Sequence, residues 1–484
     1  MMIDIAKFDQ CRLLVVGDLM LDEYLWGEVD RISPEAPVQV VAIKKEDFAL
    51  GGAGNVVNNV VALGGKVSAA GVIGTGRNGK LLLKIFKKLG VDTTGIVQES
   101  GRTTTQKTRI IAANQHVLRI DRETQQDISI TSLEKITRFI EDKMPDIDVI
   151  LISDYGKGLI TESMLSRVIA SAKKHKKMII VDPKGLDFSK YSGVSLLTPN
   201  RKEAALASGV EIIDESSLEK AAHKILQNID IDKLLITCGK DGMVLFERNK
   251  DPFKVEAVSR QVFDVSGAGD TVLAVLGLTI ASGCSINSGV AVANTAAGIV
   301  VGKVGTATVS KQELVSALKS HEHGLPVKYK DFSELPALME DLKKKGKRLV
   351  LTNGCFDLLH AGHIMLFSES KKLGDTLVVA IDDDESVKKL KGSGRPVLNA
   401  NERCRILSAL DAVDYVVIFS SHELNKLIEI IQPYVLTKGS NYTSNEVFGR
   451  ELVEKHGGRV ELIPVTENIS STRIINNIKR TRQD

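Results

Sequence analysis

Short runs of Val, Ile and Leu recur along this chain, separated by longer stretches in which apolar residues return every third or fourth position. The first kind suits strands buried on both faces, and the second suits amphipathic helices. Residues 12–16, 149–152, 177–181, 194–197 and 233–236 predict strands, several ending in small or polar residues, while 132–144 and 217–227 predict helices. That alternation is the rhythm of a doubly wound, mostly parallel α/β sheet. Residues 106–121 differ, reading as strands with a turn near Ala113-Asn114, a lid or edge sheet outside the main one.

After a helix at 311–320 the pattern breaks. His321-Glu322-His323-Gly324-Leu325-Pro326-Val327 is turn-rich and reads as a linker, and 333–345 starts a new helix. A smaller α/β repeat follows, with strands at 349–351, 376–381, 415–419, 434–436 and 459–463. Five such strands make a Rossmann-like, nucleotide-binding layout in which ligands sit beyond the carboxyl ends of the strands. The expected division is a domain at 1–320, a linker and lead-in helix at 321–345, and a domain at 346–484.

Composition narrows the function classes. With 484 residues and 43% apolar content, the chain can build two sizeable cores. Its 64 basic and 61 acidic side chains are interspersed, which excludes a polyanion-binding surface and argues against nucleic acid as partner. Five scattered cysteines without a CxxC suggest neither a disulfide framework nor a zinc site, and fit a reducing cytoplasm. The first ten residues carry Asp4 and Asp9 and no signal-peptide pattern. Residues 271–302 hold no charge and are long enough to span a bilayer, but Ser282-Gly283, Ser285, Asn287-Ser288-Gly289 and Asn294-Thr295 interrupt them. Two buried helices joined near Cys284 are expected instead, with no membrane association.

Two phosphate-handling signatures stand out. Gly267-Ala268-Gly269-Asp270 precedes the first uncharged helix. Glycines there let backbone N–H groups approach a phosphate at a helix N-terminus, and Asp270 lies where it can take a proton from an attacking hydroxyl. Taken alone, the motif reads equally as a turn capped by an aspartate. Gly17-Asp18 and Gly51-Gly52-Ala53-Gly54-Asn55 are suited to sugar hydroxyls. Thr198-Pro199-Asn200-Arg201-Lys202-Glu203 sets an amide and a carboxylate three apart, suited to organising Mg²⁺ and phosphate, and 237–242 ends the next predicted strand near nucleotide phosphates. No GxxxxGK[ST] accompanies them, which excludes a P-loop enzyme.

The second signature is His360-Ala361-Gly362-His363, between the strand at 349–351 and a helix. Two imidazoles at a helix N-terminus can hold a phosphate and stabilise charge as an α-phosphorus is attacked, while taken alone the motif also reads as two capping histidines or half of a metal site. Lys388 and Lys391 lie in a basic turn that is either a solvated face or a grip on a sugar phosphate. Lys438-Gly439 ends a strand near the expected nucleotide pocket, and Ser471-Thr472-Arg473 is aimed where pyrophosphate would leave.

In order and spacing, the motifs of residues 10–320 resemble the ribokinase-like carbohydrate kinases. The segments Arg31-Ile32-Ser33-Pro34-Glu35-Ala36-Pro37-Val38, Ser153-Asp154-Tyr155-Gly156-Lys157-Gly158 and Asp182-Pro183-Lys184-Gly185 are similar to the heptose 7-phosphate kinase branch. The resemblance implies that Asp270 is the base and that Gly267, Ala268 and Gly269 form an anion hole. It implies that Asn200, Arg201, Lys202, Glu203, Thr237, Gly239, Gly242 and Asn294 bind ATP, with Glu203 on the metal. Asp18, Gly52 and Asn55 would bind the sugar, and Lys107, Arg109 or Arg119 its distal phosphate.

Residues 346–484 resemble cytidylyltransferase-fold nucleotidyltransferases, which implies His360 and His363 as catalytic residues. Nucleotide contacts would come from Asn353, Gly354, Phe356, Asp357, Lys438, Gly439, Ser471, Thr472 and Arg473, and sugar-phosphate contacts from Lys388 and Lys391. Both halves in this order resemble the bifunctional heptose 7-phosphate kinase and heptose 1-phosphate adenylyltransferase family, implying ATP and Mg²⁺ as cofactors, small sugar phosphates as substrates, and a homodimer through the kinase domain. Two departures stand in the second half: Asn441 where the family shows Asp, and Asp382-Asp383-Asp384 in place of Asn-Ser-Asp.

Overall fold

The computed structural model describes residues 4–112, 115–257, 264–303, 305–322, 328–392, 394–440, 443 and 446–464. It divides into two compact units, Met1–Val315 and Ser316–Asp484.

The first unit carries β1 (Arg12–Gly17), β2 (Leu19–Ile32), β3 (Gln39–Gly52), β4 (Lys66–Gly74), β5 (Asp92–Glu99), β6 (Thr105–Ala112), β7 (Gln115–Arg122), β8 (Val149–Ser153), β9 (Met178–Asp182), β10 (Leu196–Leu197), β11 (Lys233–Thr237), β12 (Met243–Glu247) and β13 (Phe253–Val255). Nine of these form one sheet in the order β13-β12-β11-β10-β9-β8-β1-β4-β5. It is parallel except at β12 and β13, which pair antiparallel. All five residues of β8 are buried, as a strand covered on both faces requires. The uncharged segment forms two helices, Ala268–Ala281 and Ile286–Val300, and Ser285 caps the second through the Ser288 N–H. No described helix is long and apolar enough to cross a membrane.

A separate four-stranded sheet has the order β3-β2-β6-β7. The lid expected from residues 106–121 is therefore its second half, with the turn at Ala113-Asn114 lying outside the described residues. Sequence reasoning missed β2 and β3, which pair over most of their length with register shifts at Trp26/Gly27 and Val29/Arg31. Charges are interleaved through both, and the middle of β3 is exposed, so no apolar run marks them.

The second unit carries β14 (Leu349–Gly354), β15 (Thr376–Asp382), β16 (Tyr415–Phe419), β17 (Val435–Gly439) and β18 (Arg459–Ile463), all parallel, in the order β16-β15-β14-β17-β18. The connections reverse direction between β14 and β17, so a crevice opens beyond their carboxyl ends. Helix Leu335–Lys344 places Leu335, Met339 and Leu342 in this unit's core. The lead-in helix is thus built into the second unit.

Candidate active sites

In the first unit the chemistry gathers at the carboxyl ends of β1, β8 and β9. Gly267, with φ of 78°, turns the chain into helix Ala268–Ala281 and makes no side-chain cap. Of the first turn, the Ala268 N–H, expected in the anion hole, is taken by the Val265 carbonyl at 3.3 Å because the chain turns tightly there, which leaves the N–H groups of Gly269 and Asp270 to point at an anion. A Cβ at Gly267 would stand 2.5 Å from Asn55 Nδ2, so glycine is required for contact as well as conformation.

Asp270, in that first turn, is buried. Asn55 Nδ2 donates to its Oδ2 at 2.9 Å, and the Tyr155 hydroxyl donates to its Oδ1 at 2.9 Å. Burial pushes the carboxyl up to about 7 against the pull of these two hydrogen bonds. Such a group changes charge near neutrality, which is what a general base needs.

Asp18 follows β1 directly, and its Oδ2 accepts the backbone N–H groups of Tyr155 at 2.8 Å and Lys157 at 3.1 Å. Burial raises its carboxyl to about 6. Gly52 starts helix Ala53–Ala62 at φ of 53°, where a Cβ would stand 2.7 Å from the Asp18 carbonyl oxygen. Asp182, at the end of β9, is pushed well above the usual carboxylate range by burial and by Glu203 and Asp270.

The basic candidates separate. Lys107 on β6 lies 5.2 Å from the Tyr155 ring centroid, and burial lowers its pKa. Arg109 is ion-paired with Asp22 and lies over the Tyr24 ring. Arg119, on β7, is half-exposed and paired with Asp121 of its own strand. Only Lys107 is thus placed against the Tyr155 and Asp270 group.

Asn200 and Glu203 form a capping box on helix Arg201–Ser208, Asn200 Oδ1 accepting the Glu203 N–H at 2.9 Å and Glu203 Oε2 accepting the Asn200 N–H at 3.1 Å. Glu203 Oε1 pairs with Lys184 at 2.8 Å. Both Glu203 oxygens are therefore engaged, and the three-residue spacing read as metal-organising is first of all a helix cap. Arg201 pairs with Asp241, and Lys202 is exposed. Asn200 also bridges Thr237 at the end of β11. A cavity of about 440 Å³, lined by Arg201, Cys238, Lys240, Asp241, Lys254 and Glu256 among others, opens beside this point. Gly239, between the lining residues Cys238 and Lys240, has open space where a Cβ would stand, while a Cβ at Gly242 would stand 2.0 Å from the Val255 carbonyl oxygen. Asn294 donates to the Glu256 carbonyl at 2.8 Å and so fixes the chain after β13.

In the second unit His360 is the N-cap residue of helix Ala361–Lys372, yet its side chain makes no cap hydrogen bond. The His360 and His363 rings stack at 3.8 Å between centroids. The Nδ1 atoms of both, and Asn353 Oδ1, are buried without a hydrogen-bond partner among the described residues. Burial holds both imidazoles below their usual pKa, His363 down to about 4, with His360 and then Lys391 adding to the effect there. Two neutral rings with unused polar atoms at a helix N-terminus suit a phosphate, whose charge would draw protons onto them.

Around them, Lys438 at the end of β17 donates to the Asn353 carbonyl at 2.6 Å, and burial lowers it to about 8. Phe356, at φ of 43°, packs edge-on against His363 and Phe367, so its ring positions the histidine. Asp357 pairs with Arg395 and accepts the N–H groups of Val397 and Leu398, which makes it an anchor for that loop. A Cβ at Gly354 would press on the Phe356 ring at 3.2 Å, and Gly439 is buried. Lys388 is exposed, whereas Lys391 lies close enough to bias both histidines. Ser471, Thr472, Arg473 and Asn441 lie outside the described residues.

Sequence reasoning assigned no role to Tyr155, Asp182 or Arg403. Tyr155 lies two residues after β8 and Asp182 ends β9, the one signal that could have found them. Arg403 is fully buried and donates to the carbonyls of Cys355, Asp382 and Leu398 and to Asp384, fixing the loop before the histidines.

Comparisons with known proteins agree with this division. The pfkB family carbohydrate kinase profile matches residues 11–313, and the cytidylyltransferase-like profile matches 351–477. The bifunctional protein HldE of Desulfatibacillum aliphaticivorans is 55% identical over 99% of this chain and 98% of its own length. Among solved structures, Arabidopsis thaliana ribokinase complexed with ribose and ATP aligns with TM-score 0.52 at 19% identity, covering 64% of this chain and 99% of that one. Phosphofructokinase-2 from Escherichia coli in complex with potassium aligns with TM-score 0.54 at 19% identity, again over 64% of this chain and 99% of that one. At these identities the two structures speak for the fold of the first unit. The chain belongs to the bifunctional HldE family, a pfkB-type carbohydrate kinase joined to a cytidylyltransferase-like nucleotidyltransferase.

Proposed function

We propose that the first unit transfers the γ-phosphoryl of ATP to the anomeric hydroxyl of D-glycero-D-manno-heptose 7-phosphate. The second unit transfers an adenylyl group from ATP to the heptose 1-phosphate, giving ADP-D-glycero-D-manno-heptose for lipopolysaccharide core synthesis. In the first step the sugar oxygen bonds to the γ-phosphorus, the bond to the β–γ bridging oxygen breaks, and the hydroxyl proton passes to Asp270. The first-turn N–H groups behind Gly267 stabilise the transferring phosphoryl. Lys107 is the basic residue best placed for the distal phosphate, with Lys157 beside it. In the second step a sugar-phosphate oxygen attacks the α-phosphorus and pyrophosphate leaves, with His360, His363 and the Lys391 charge on the non-bridging oxygens. Removal of the 7-phosphate between the steps falls to a separate phosphatase, so the intermediate leaves this protein.

Mg²⁺ would arrive with the nucleotide, whose phosphates and waters supply most of its ligands, and would neutralise their charge. The like-charged neighbours Asp182 and Glu203 fit such a cation, with Glu203 reaching it only by releasing Lys184. Val117, Leu118 and Ile120 are exposed on β7, which favours dimerisation of the kinase unit through its lid sheet. A reducing cytoplasm remains the proposed location, in keeping with five free cysteines.

The observation that carries the reading is the buried Asp270 carboxylate held between Asn55 and Tyr155 beside a helix N-terminus. Assaying the purified protein against a panel of sugar phosphates and nucleotides tests it. Preference for another sugar, or for another nucleotide in the second reaction, overturns the assignment.

A further inference from the structure

We propose that Tyr155 is a positioning residue of the kinase reaction, its hydroxyl fixing the Asp270 carboxylate and keeping it available as base. The proposal rests on the reading of Asp270 as that base. The segment carrying Tyr155 is pinned at successive residues. Its own N–H and that of Lys157 are held by Asp18 Oδ2, and the Gly156 N–H donates to Asp154 Oδ1 at 2.8 Å. Asp154 is fixed in turn by the Tyr191 hydroxyl at 2.7 Å and Lys190 Nζ at 2.6 Å. From this base the phenol reaches Asp270 Oδ1 at 2.9 Å, across 115 residues of sequence.

Asn55 secures the other oxygen and is itself secured. Asn59 Nδ2 donates to the Asn55 carbonyl at 3.0 Å, and the Thr271 hydroxyl donates to Asn59 Oδ1 at 3.2 Å. Each Asp270 oxygen therefore has one donor, and a carboxylate has about four acceptor positions, so room remains for a substrate hydroxyl. From the lid sheet, Lys107 of β6 stands over the face of the Tyr155 ring. A lid residue suited to a phosphate thus rests on the side chain that orients the base.

The charged groups facing Asp270 are Asp22 on β2, Lys107 on β6 and Asp182 at the end of β9. Burial and then Asp22 favour the protonated form. Lys107 and the hydrogen bonds from Asn55 and Tyr155 oppose it. Tyr155 is held well above the usual phenol range and so stays a donor throughout the working range. Removing its hydroxyl strips a donor from the charged form, and the Asp270 pKa must rise.

The test is the pH profile of kinase kcat/KM in full-length Tyr155→Phe, with Asp270→Asn alongside. The acid limb, near pH 7 in the parent protein, is expected to move up by roughly one pH unit in Tyr155→Phe. The rate then falls roughly fivefold at pH 7 and returns close to the parent value near pH 9, a recovery that a packing defect does not give. A lowered rate with an unmoved limb overturns the proposal. Kinase activity surviving in Asp270→Asn instead overturns the base assignment itself. Titration of the infrared carboxyl band lost in Asp270→Asn gives the same answer without turnover, and an unchanged midpoint in Tyr155→Phe also overturns the proposal.

Discussion

At the scale of single residues, the two sites use burial in opposite directions. In the kinase unit burial raises Asp270 to about 7, and as the proposed base it would act deprotonated, so kinase turnover should climb as pH rises through neutrality. Asp270→Asn keeps the shape and removes the proposed base, and kinase turnover should fall roughly 10² to 10⁴-fold. Adenylyl transfer measured on the same preparation should stay near the parent value. In the nucleotidyltransferase unit burial holds His363 down to about 4. A polyphosphate there favours the charged ring, so nucleotide binding to this unit should take up protons at neutral pH, read by calorimetry in buffers of differing ionisation enthalpy. In the unliganded protein a depressed pKa means that the unfolded chain binds more protons, and this unit's stability should fall as pH drops from about 6.5 towards 4. His363→Ala should lower kcat of adenylyl transfer by roughly 10² to 10³-fold with a smaller change in KM. The competing role, a helix cap, predicts about 1 kcal/mol of lost stability with turnover kept, but His360 makes no cap hydrogen bond.

At the scale of elements, local signals decided what could be read. The strands at 149–152 and 376–381 were legible because nearly every residue of β8 and β15 is buried between helices, which leaves an unbroken apolar run. β2 and β3 were illegible because charges interrupt both, buried in β2 at Asp22 and Glu23 and largely solvent-facing in the middle of β3, so neither shows an apolar run. The Asn200 and Glu203 pair, read as organising metal and phosphate, forms a capping box, and a capping box and a ligand-organising pair share the same three-residue spacing. Substitution separates those roles. Asn200→Ala removes the acceptor for the Glu203 N–H and should cost about 1 kcal/mol in a thermal or denaturant melt. Asn200→Asp keeps an acceptor and adds negative charge, so it should melt like the parent while raising the kinase KM for ATP. Unchanged KM in Asn200→Asp would confine this residue to capping.

At the scale of the whole molecule, what escaped the sequence is what depends on distant segments meeting. Tyr155 and Asp270 are joined only by the fold, and no window around either residue shows the other. The division into two units was open to reading because it is marked locally, by a turn-rich stretch between two periodic segments. Helix Lys311–Glu322 runs past the contact boundary at Val315, and Leu314 and Ala317 are buried, so a cut within it would expose apolar surface. Helix Leu335–Lys344 belongs to the second core and must travel with it. Fragments 1–322 and 328–484 respect both constraints, and each retains its own sheet and core. Expressed separately, each should be soluble, unfold in one cooperative transition and keep a single activity, kinase in the first and adenylyl transfer in the second. Mixing them should restore the sum and no more if, as proposed, the intermediate leaves the protein between steps. A fragment that folds cooperatively but is inactive until its partner is added would mean that the two sites are coupled through the intact chain.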